Sequence, residues 1–271
     1  GRIKMDIKKV AVIIPFYKDG LSAYESIALE QCFKILAPYP IIAIKPKSLV
    51  LPQEVAKYPF FDTILFDDEY FSSVEAYNRL MMDEKFYKHF LAYEYILIYQ
   101  LDAFVFKDEL NYWCTQHYDY IGAPWIKPRK QNIFKRALSK IQYYTHTRYN
   151  FQKKDLPTNK QRDYKVGNGG FSLRKTRIFY DICITHRATI NYYNGRHHHL
   201  FNEDIFWSVE VNRKRKLLNI PSWKTALRFS FEFHPARALE LNKDQLPFGC
   251  HAWDLNVDFW RPIFKEAGVE I

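Results

Sequence analysis

The sequence predicts an α/β fold with a mixed, mainly parallel central sheet flanked by helices, and three observations lead there. Short apolar runs rich in β-branched residues alternate with stretches of helical periodicity. The strongest runs are almost continuously apolar, as in strands covered on both faces. Right-handed crossovers between such strands make the early sheet parallel, and ligands of parallel sheets bind beyond the strands' carboxyl ends. With 271 residues, 48% hydrophobic and 18% aromatic, the chain can bury one large core, so a single domain over residues 5–271 is expected.

The elements follow in order. Lys9 to Tyr17 (KVAVIIPFY) is a buried first strand broken by Pro15. Ser22 to Leu36 is a helix whose apolar face includes Ile27, Leu29, Phe33 and Leu36, stopped by Pro38. IIAIKP (41–46) and DTILFD (62–67) are the second and third strands. Val74, Tyr77, Leu80 and Met81 predict one helix over Ser73–Phe90, capped by Ser72 or Ser73. YEYILIYQLDAFVF (93–106) is the richest strand, interrupted only by Gln100 and Asp102, and DYIGAPW (119–125) is a further short strand and turn. A basic insertion at 126–165 precedes VGNGGFSLR (166–174), a helix through about His186, a polar loop, and a helix opening at Asn202-Glu203-Asp204.

Composition bounds the class of function. The longest apolar runs fall well short of the roughly 18 residues of a membrane span. Cys32, Cys114, Cys183 and Cys250 lack paired C-x-x-C spacing and no N-x-S/T acceptor occurs, which excludes a zinc ribbon and a secreted disulfide scaffold. Reduced thiols and a cytoplasmic location are expected. Residues 1–4, before Met5, read as an expression remnant. The net charge of +10 favours anionic partners, and the insertion carries it all: twelve Lys and Arg stand there against Asp155 and Asp163.

Several residues have the character of a reaction site. An acid in an apolar strand is costly unless a metal or hydrogen-bonding ligand compensates it, so Asp102 reads either as a ligand residue or as a cap for a nearby loop. Gly169 and Gly170 permit close backbone approach beside Asn168, which serves a sugar or phosphate or simply a turn. Glu203 and Asp204 open a helix, where acids also favour the dipole without any function. His251 stands in a glycine turn between aromatics, either structural or a metal or phosphate ligand. The run His197-His198-His199 reads as a solvated loop before it reads as a metal site.

Together the strings YNRLM (77–81), YILIYQLDAFVF (95–106), YDYIGAPW (118–125), VGNGGFSLR, NEDIFW (202–207) and FGCHAW (248–253) resemble, in this order, a family of short bacterial GT-A-type glycosyltransferase-like proteins. The resemblance spans Val10 to Trp260 and implies transfer of a sugar from a nucleotide-sugar donor to a glycan or lipid-linked acceptor. It places the Asp-x-Asp element of GT-A enzymes on Gln100-Leu101-Asp102, with Gln100 replacing the first acid. By it, Asp102 and His251 hold Mn²⁺ or Mg²⁺, and Arg79, Gln100, Asp102, Asn168, Gly169 and Gly170 meet the donor; otherwise Arg79 is an exposed helical arginine. Asp204 is then the catalytic base of an inverting reaction and Glu203 orients acceptor hydroxyls. A nucleotidyltransferase would need more glycine than PFYKDG supplies after strand one. A nucleic-acid-binding module, with Tyr143, Tyr144 and Tyr149 as stacking platforms, does not account for acids and glycines at strand ends, so no nucleic-acid partner is expected.

Within the insertion, Ile133, Phe134, Ala137, Leu138, Ile141 and Tyr144 recur at helical spacing, with Lys130, Lys135, Arg136 and Lys140 beside or opposite them. Such a helix either packs its stripe on the core or lies in an anionic membrane interface, holding the protein peripherally at the membrane's inner face.

Overall fold

The computed structural model describes residues 8–128 and 133–271, without the side chains of 133–137. Strand β1 (Lys8–Pro15), helix α1 (Ala23–Leu36), β2 (Ile41–Pro46), a single turn α2 (Gln53–Ala56) and β3 (Asp62–Phe66) form the first crossovers. The main sheet has the order β3-β2-β1-β4-β9-β6. β1 pairs parallel with β2 and with β4 (Tyr93–Tyr99), and β2 pairs parallel with β3. The other edge is antiparallel: β9 (Phe171–Lys175) runs against β4 and against β6 (Tyr120–Ile121). The mixed, mainly parallel sheet flanked by helices is the one expected. Val12, Ile14, Leu97, Tyr99 and Leu173 face a core beneath α1, while Ile13, Ile96 and Ile98 face Leu80, Phe86, Phe179 and Trp207 on the opposite side.

Local chemistry sets the helix limits. Ser22 and Glu25 form a capping box at the start of α1. The single helix expected over 73–90 is two, α3 (Val74–Met81) and α4 (Glu84–Lys88). Asp83 accepts from the Lys85 amide at 2.8 Å, capping a new helix where the first ends. The polar loop expected after His186 is instead α8 (Arg187–Asn194), following α7 (Thr176–Thr185). It buries Ile190 and Tyr193.

The long strand expected at 93–106 is likewise divided. β4 ends at Tyr99, Gln100–Asp102 form a turn in which the Ala103 amide donates to the Gln100 carbonyl at 2.9 Å, and β5 (Phe104–Val105) enters a second sheet. After α5 (Leu110–Thr115), the insertion contributes α6 (Ile133–Arg148) and the hairpin β7 (Gln152–Lys153)–β8 (Leu156–Pro157). α9 (Glu203–Ile205) continues into a π-helical turn over Phe206–Glu210. Then come α10 (Trp223–Phe229), β10 (Ser230–Phe231), α11 (Pro235–Leu241), β11 (Gly249–Cys250) and α12 (Val257–Glu266). β11 is central in the second sheet, parallel to β10 and antiparallel to β5.

Candidate active site

The second sheet assembles the site by its register. Phe231 pairs with Cys250, and Cys250 with Phe104. The residues just beyond these pairs are Glu232, His251 and, two positions before Phe104, Asp102. Three chemically active side chains from distant parts of the chain therefore meet at one end of a three-stranded sheet. Asp102 lies in the turn beyond β4 rather than inside a strand; its carbonyl accepts from the Trp253 amide at 3.4 Å. The His251 amide donates to Phe231 at 2.9 Å.

His251 bridges two carboxylates. Its Nε2 lies 3.1 Å from Asp102 Oδ1 and 3.2 Å from Gln100 Oε1, and its Nδ1 lies 3.5 Å from Glu232 Oε1. Burial opposes charging the ring, but Asp102 and Glu232 override it and hold the His251 pKa well above the usual imidazole value. Burial also acts to raise Asp102, yet His251 outweighs it and leaves this carboxyl below the ordinary range. Glu232 is buried, and its Oε2 has no hydrogen-bond partner among the described residues.

The two glycines work through this geometry. A Cβ on Gly170 would stand 1.9 Å from His251 Nε2, and one on Gly169 2.1 Å from Glu203 Oε1. They admit a histidine and a glutamate to the backbone, which is the close approach that glycine alone allows. Asn168 is buried with its Oδ1 accepting from the Gly170 amide at 3.1 Å, and the Gly170 carbonyl accepts from the Gln100 amide at 2.9 Å. The glycine turn and the Gln100–Asp102 turn are thus one unit.

Glu203 and Asp204 are neighbours with different fates. Glu203 gives both oxygens to the buried Arg174, at 2.9 and 3.0 Å, and Arg174 also reaches the Tyr87 hydroxyl at 2.9 Å. Its carboxylate is committed to an ion pair. Asn78 braces the same segment, donating to Asn202 Oδ1 at 3.0 Å and accepting from the Glu203 amide at 3.2 Å. Asp204 is partly exposed; its carboxylate accepts from the Ile205 amide at 2.8 Å and its carbonyl from the Ser208 hydroxyl at 2.6 Å. Burial, then Glu203 and Glu232, push its carboxyl up to about 8. Glu232 therefore acts on both His251 and Asp204.

A cavity of about 680 Å³ opens beside Asp102 at the carboxyl ends of β1 and β4. Tyr17, Tyr24, Phe71 and Tyr77 give it aromatic walls, with Lys18 and Ser22 on the α1 side. Gln100 and Asp102 line it, whereas Arg79 does not; Arg79 stands one turn from Glu75 on α3 and acts on that carboxylate. Among the described residues no group of three or more His, Cys, Asp or Glu side chains is arranged to hold a metal ion. Asp102 and His251 lie in contact, and a divalent ion placed between them would need the rest of its ligands from a substrate. Sequence reasoning passed over Glu232, Arg174 and Asn78. Glu232 carried the signal that pointed to Asp102, a lone acid among aromatics in FSFEFHP.

The architecture is GT-A-like. The galactosyltransferase LgtC, solved in complex with donor and acceptor sugar analogs, aligns with a TM-score of 0.52 at 13% identity, covering 89% of this chain and 86% of that one. Mouse xyloside xylosyltransferase 1 in its apo form aligns at 0.46 and 10% identity, over 90% of this chain and 96% of that one. Core-mannan synthase A from Aspergillus fumigatus, in its Mn/GDP form, aligns at 0.46 and 9% identity, over 83% and 75%. For LgtC, at 13% identity, the likeness is one of fold. No functionally curated protein matches the sequence. By its sequence the chain belongs to the family described as a protein of unknown function, DUF5672, whose profile matches residues 60–251. That span includes Asp102, Asn168, Arg174, Glu203, Asp204, Glu232 and His251.

Proposed function

We propose that the protein is a glycosyltransferase that moves a sugar from a nucleotide-sugar donor to a glycan or lipid-linked acceptor, with inversion. One observation carries the reading: an aromatic-walled cavity at the carboxyl ends of β1 and β4 has Asp102 in its wall, and Asp102 is in contact with His251. The fold shared with a galactosyltransferase that holds donor and acceptor sugar analogs supports it. Tyr17, Tyr24, Phe71 and Tyr77 offer ring faces to a nucleotide base. Gln100 and Asp102 face the donor's reacting end, and the backbone of Gly169–Gly170 lies behind them. A divalent Mn²⁺ or Mg²⁺ ion held by Asp102 and His251 would neutralise charge growing on the leaving diphosphate. Asp204 takes the proton from the acceptor hydroxyl; a base with a pKa of about 8 is matched to a near-neutral working pH. Glu203, bound to Arg174, holds Asp204 in place and keeps its pKa high.

The test is a panel of nucleotide sugars with Mn²⁺, read first as donor hydrolysis and then by calorimetry with the corresponding nucleotide. Asp102→Asn should abolish metal-dependent nucleotide binding while circular dichroism stays unchanged. Binding that survives this change with its metal dependence intact overturns the assignment of Asp102.

A further inference from the structure

The apolar stripe of α6 faces away from the protein. Leu138, Ile141 and Tyr144 are 59%, 63% and 66% exposed, while the opposite side of the helix turns in Thr147, buried, with Tyr143 half-buried. Ile133, Phe134, Lys135, Arg136 and Ala137 extend the pattern in sequence, but their side chains lie outside the described residues, as does Lys130. Tyr149 (68%) and Phe151 (46%), just beyond the helix, are exposed as well.

The fold adds something the local pattern does not contain. Arg148, at the helical spacing of Ile141 and Tyr144, donates to the Arg213 carbonyl at 3.1 Å and also to that of Lys214. The Arg213 guanidinium in turn donates to the Gln161 side chain at 2.7 Å. A second basic run, Arg213-Lys214-Arg215-Lys216, is thereby clamped at the carboxyl end of the stripe, with Lys214, Arg215 and Lys216 exposed. Lys140 on α6, Lys153 on β7 and Lys154 in the turn after it are exposed. Among the described residues none of Lys140, Lys153, Lys154, Lys214 and Arg215 forms an ion pair, although the chain as a whole pairs many of its charges. Asp155 is the acid nearest in sequence to this face. An outward apolar stripe with aromatic residues at one end and unpaired cations around it matches an anionic bilayer: the stripe enters the acyl boundary and the cations meet headgroup phosphates.

We propose that α6, the β7 hairpin and the 213–216 loop form one docking face for an anionic lipid bilayer. The proposal is independent of the transferase reading, and its test uses no turnover. Purified protein is sedimented with vesicles of phosphatidylcholine alone, or of phosphatidylcholine and phosphatidylglycerol in equal parts. Pelleting is expected only with the second, and should be lost as salt rises. Each basic residue near such a surface raises affinity about fivefold, so Lys214→Glu with Arg215→Glu should weaken vesicle binding at least about twentyfold. Ile141→Asp with Tyr144→Asp should release the protein as fully while leaving circular dichroism unchanged. Equal recovery in the supernatant with both vesicle types at low salt overturns the proposal. Release by the charge changes alone reduces the effect to adsorption and overturns the role of the stripe. Concentration-dependent dimerisation in light scattering without vesicles, abolished by Ile141→Asp, assigns the face to a second copy of the chain and overturns it too.

Discussion

At pH 7 the Asp204 carboxyl holds its proton, because burial and the charges of Glu203 and Glu232 make ionisation costly. A carboxyl whose pKa is raised from 3.8 to about 8 binds a proton in the fold that the unfolded chain has already released. Its contribution to stability is therefore greatest at low pH and falls as pH rises from about 4 through about 8. In the proposed role of base it would work in the opposite sense, since only the ionised form accepts a proton. Donor transfer should rise with pH through about 8, and Asp204→Asn should lower kcat by about 100-fold or more with little change in nucleotide affinity. The same substitution should flatten the fall of urea-denaturation stability between those pH values. A pH–rate profile levelling off below pH 6 would remove Asp204 from the role of base. Gly170 allows a second test at this scale. In Gly170→Ala the new methyl would stand 1.9 Å from His251 Nε2, and the ring would have to leave its place between Asp102 and Glu232. Nucleotide binding with Mn²⁺ should be lost in calorimetry, and the unfolding midpoint should fall.

Between elements, the Arg174–Glu203 pair has the greatest structural leverage. It joins β9 to α9, and through Tyr87 it reaches α4. Both groups are withdrawn from water, with side-chain exposures of 0% and 7%. Removing one partner leaves an uncompensated buried charge, so Glu203→Gln should cost about 3–5 kcal/mol in urea denaturation. Replacing both, as Arg174→Met with Glu203→Leu, removes the desolvated charges together and should restore much of that loss. A double variant no more stable than the single one would show that the pair's hydrogen bonds, rather than its charges, hold the three elements. The division of 73–90 at Met82–Asp83 belongs here as well: Met81 uses its carbonyl to accept from the Tyr87 hydroxyl and the Trp207 indole, which anchors the end of α3 against α4 and the π-helical turn.

For the molecule as a whole, the four cysteines report on the core. All are free and buried, and burial pushes the Cys114 thiol up to about 12. None should react with a thiol reagent at neutral pH until the chain unfolds, so labelling should follow the same urea transition as circular dichroism; early reaction of one thiol would mark a region that opens locally. The strands, though not their order in the sheet, were legible in the sequence: β1, β2 and β4 are continuous apolar runs, and the largely exposed edge strand β3 also stands where its run predicts. The break after Tyr99 was not, because Ala103–Phe106 is as apolar as the strand before it and only the pairing of Phe104 with Cys250 diverts it. In the site, Asp102, Gln100 and His251 are in contact, while Glu232 stayed hidden because its neighbour in space is set by register across 19 residues of chain. No helix among the described residues is long and apolar enough to cross a membrane. The buried pair described above also constrains descent. A lineage that changes Arg174 or Glu203 singly passes through a chain with a stranded charge in its interior, so drift at these two positions has to be concerted, and across relatives the two should be kept together or exchanged together.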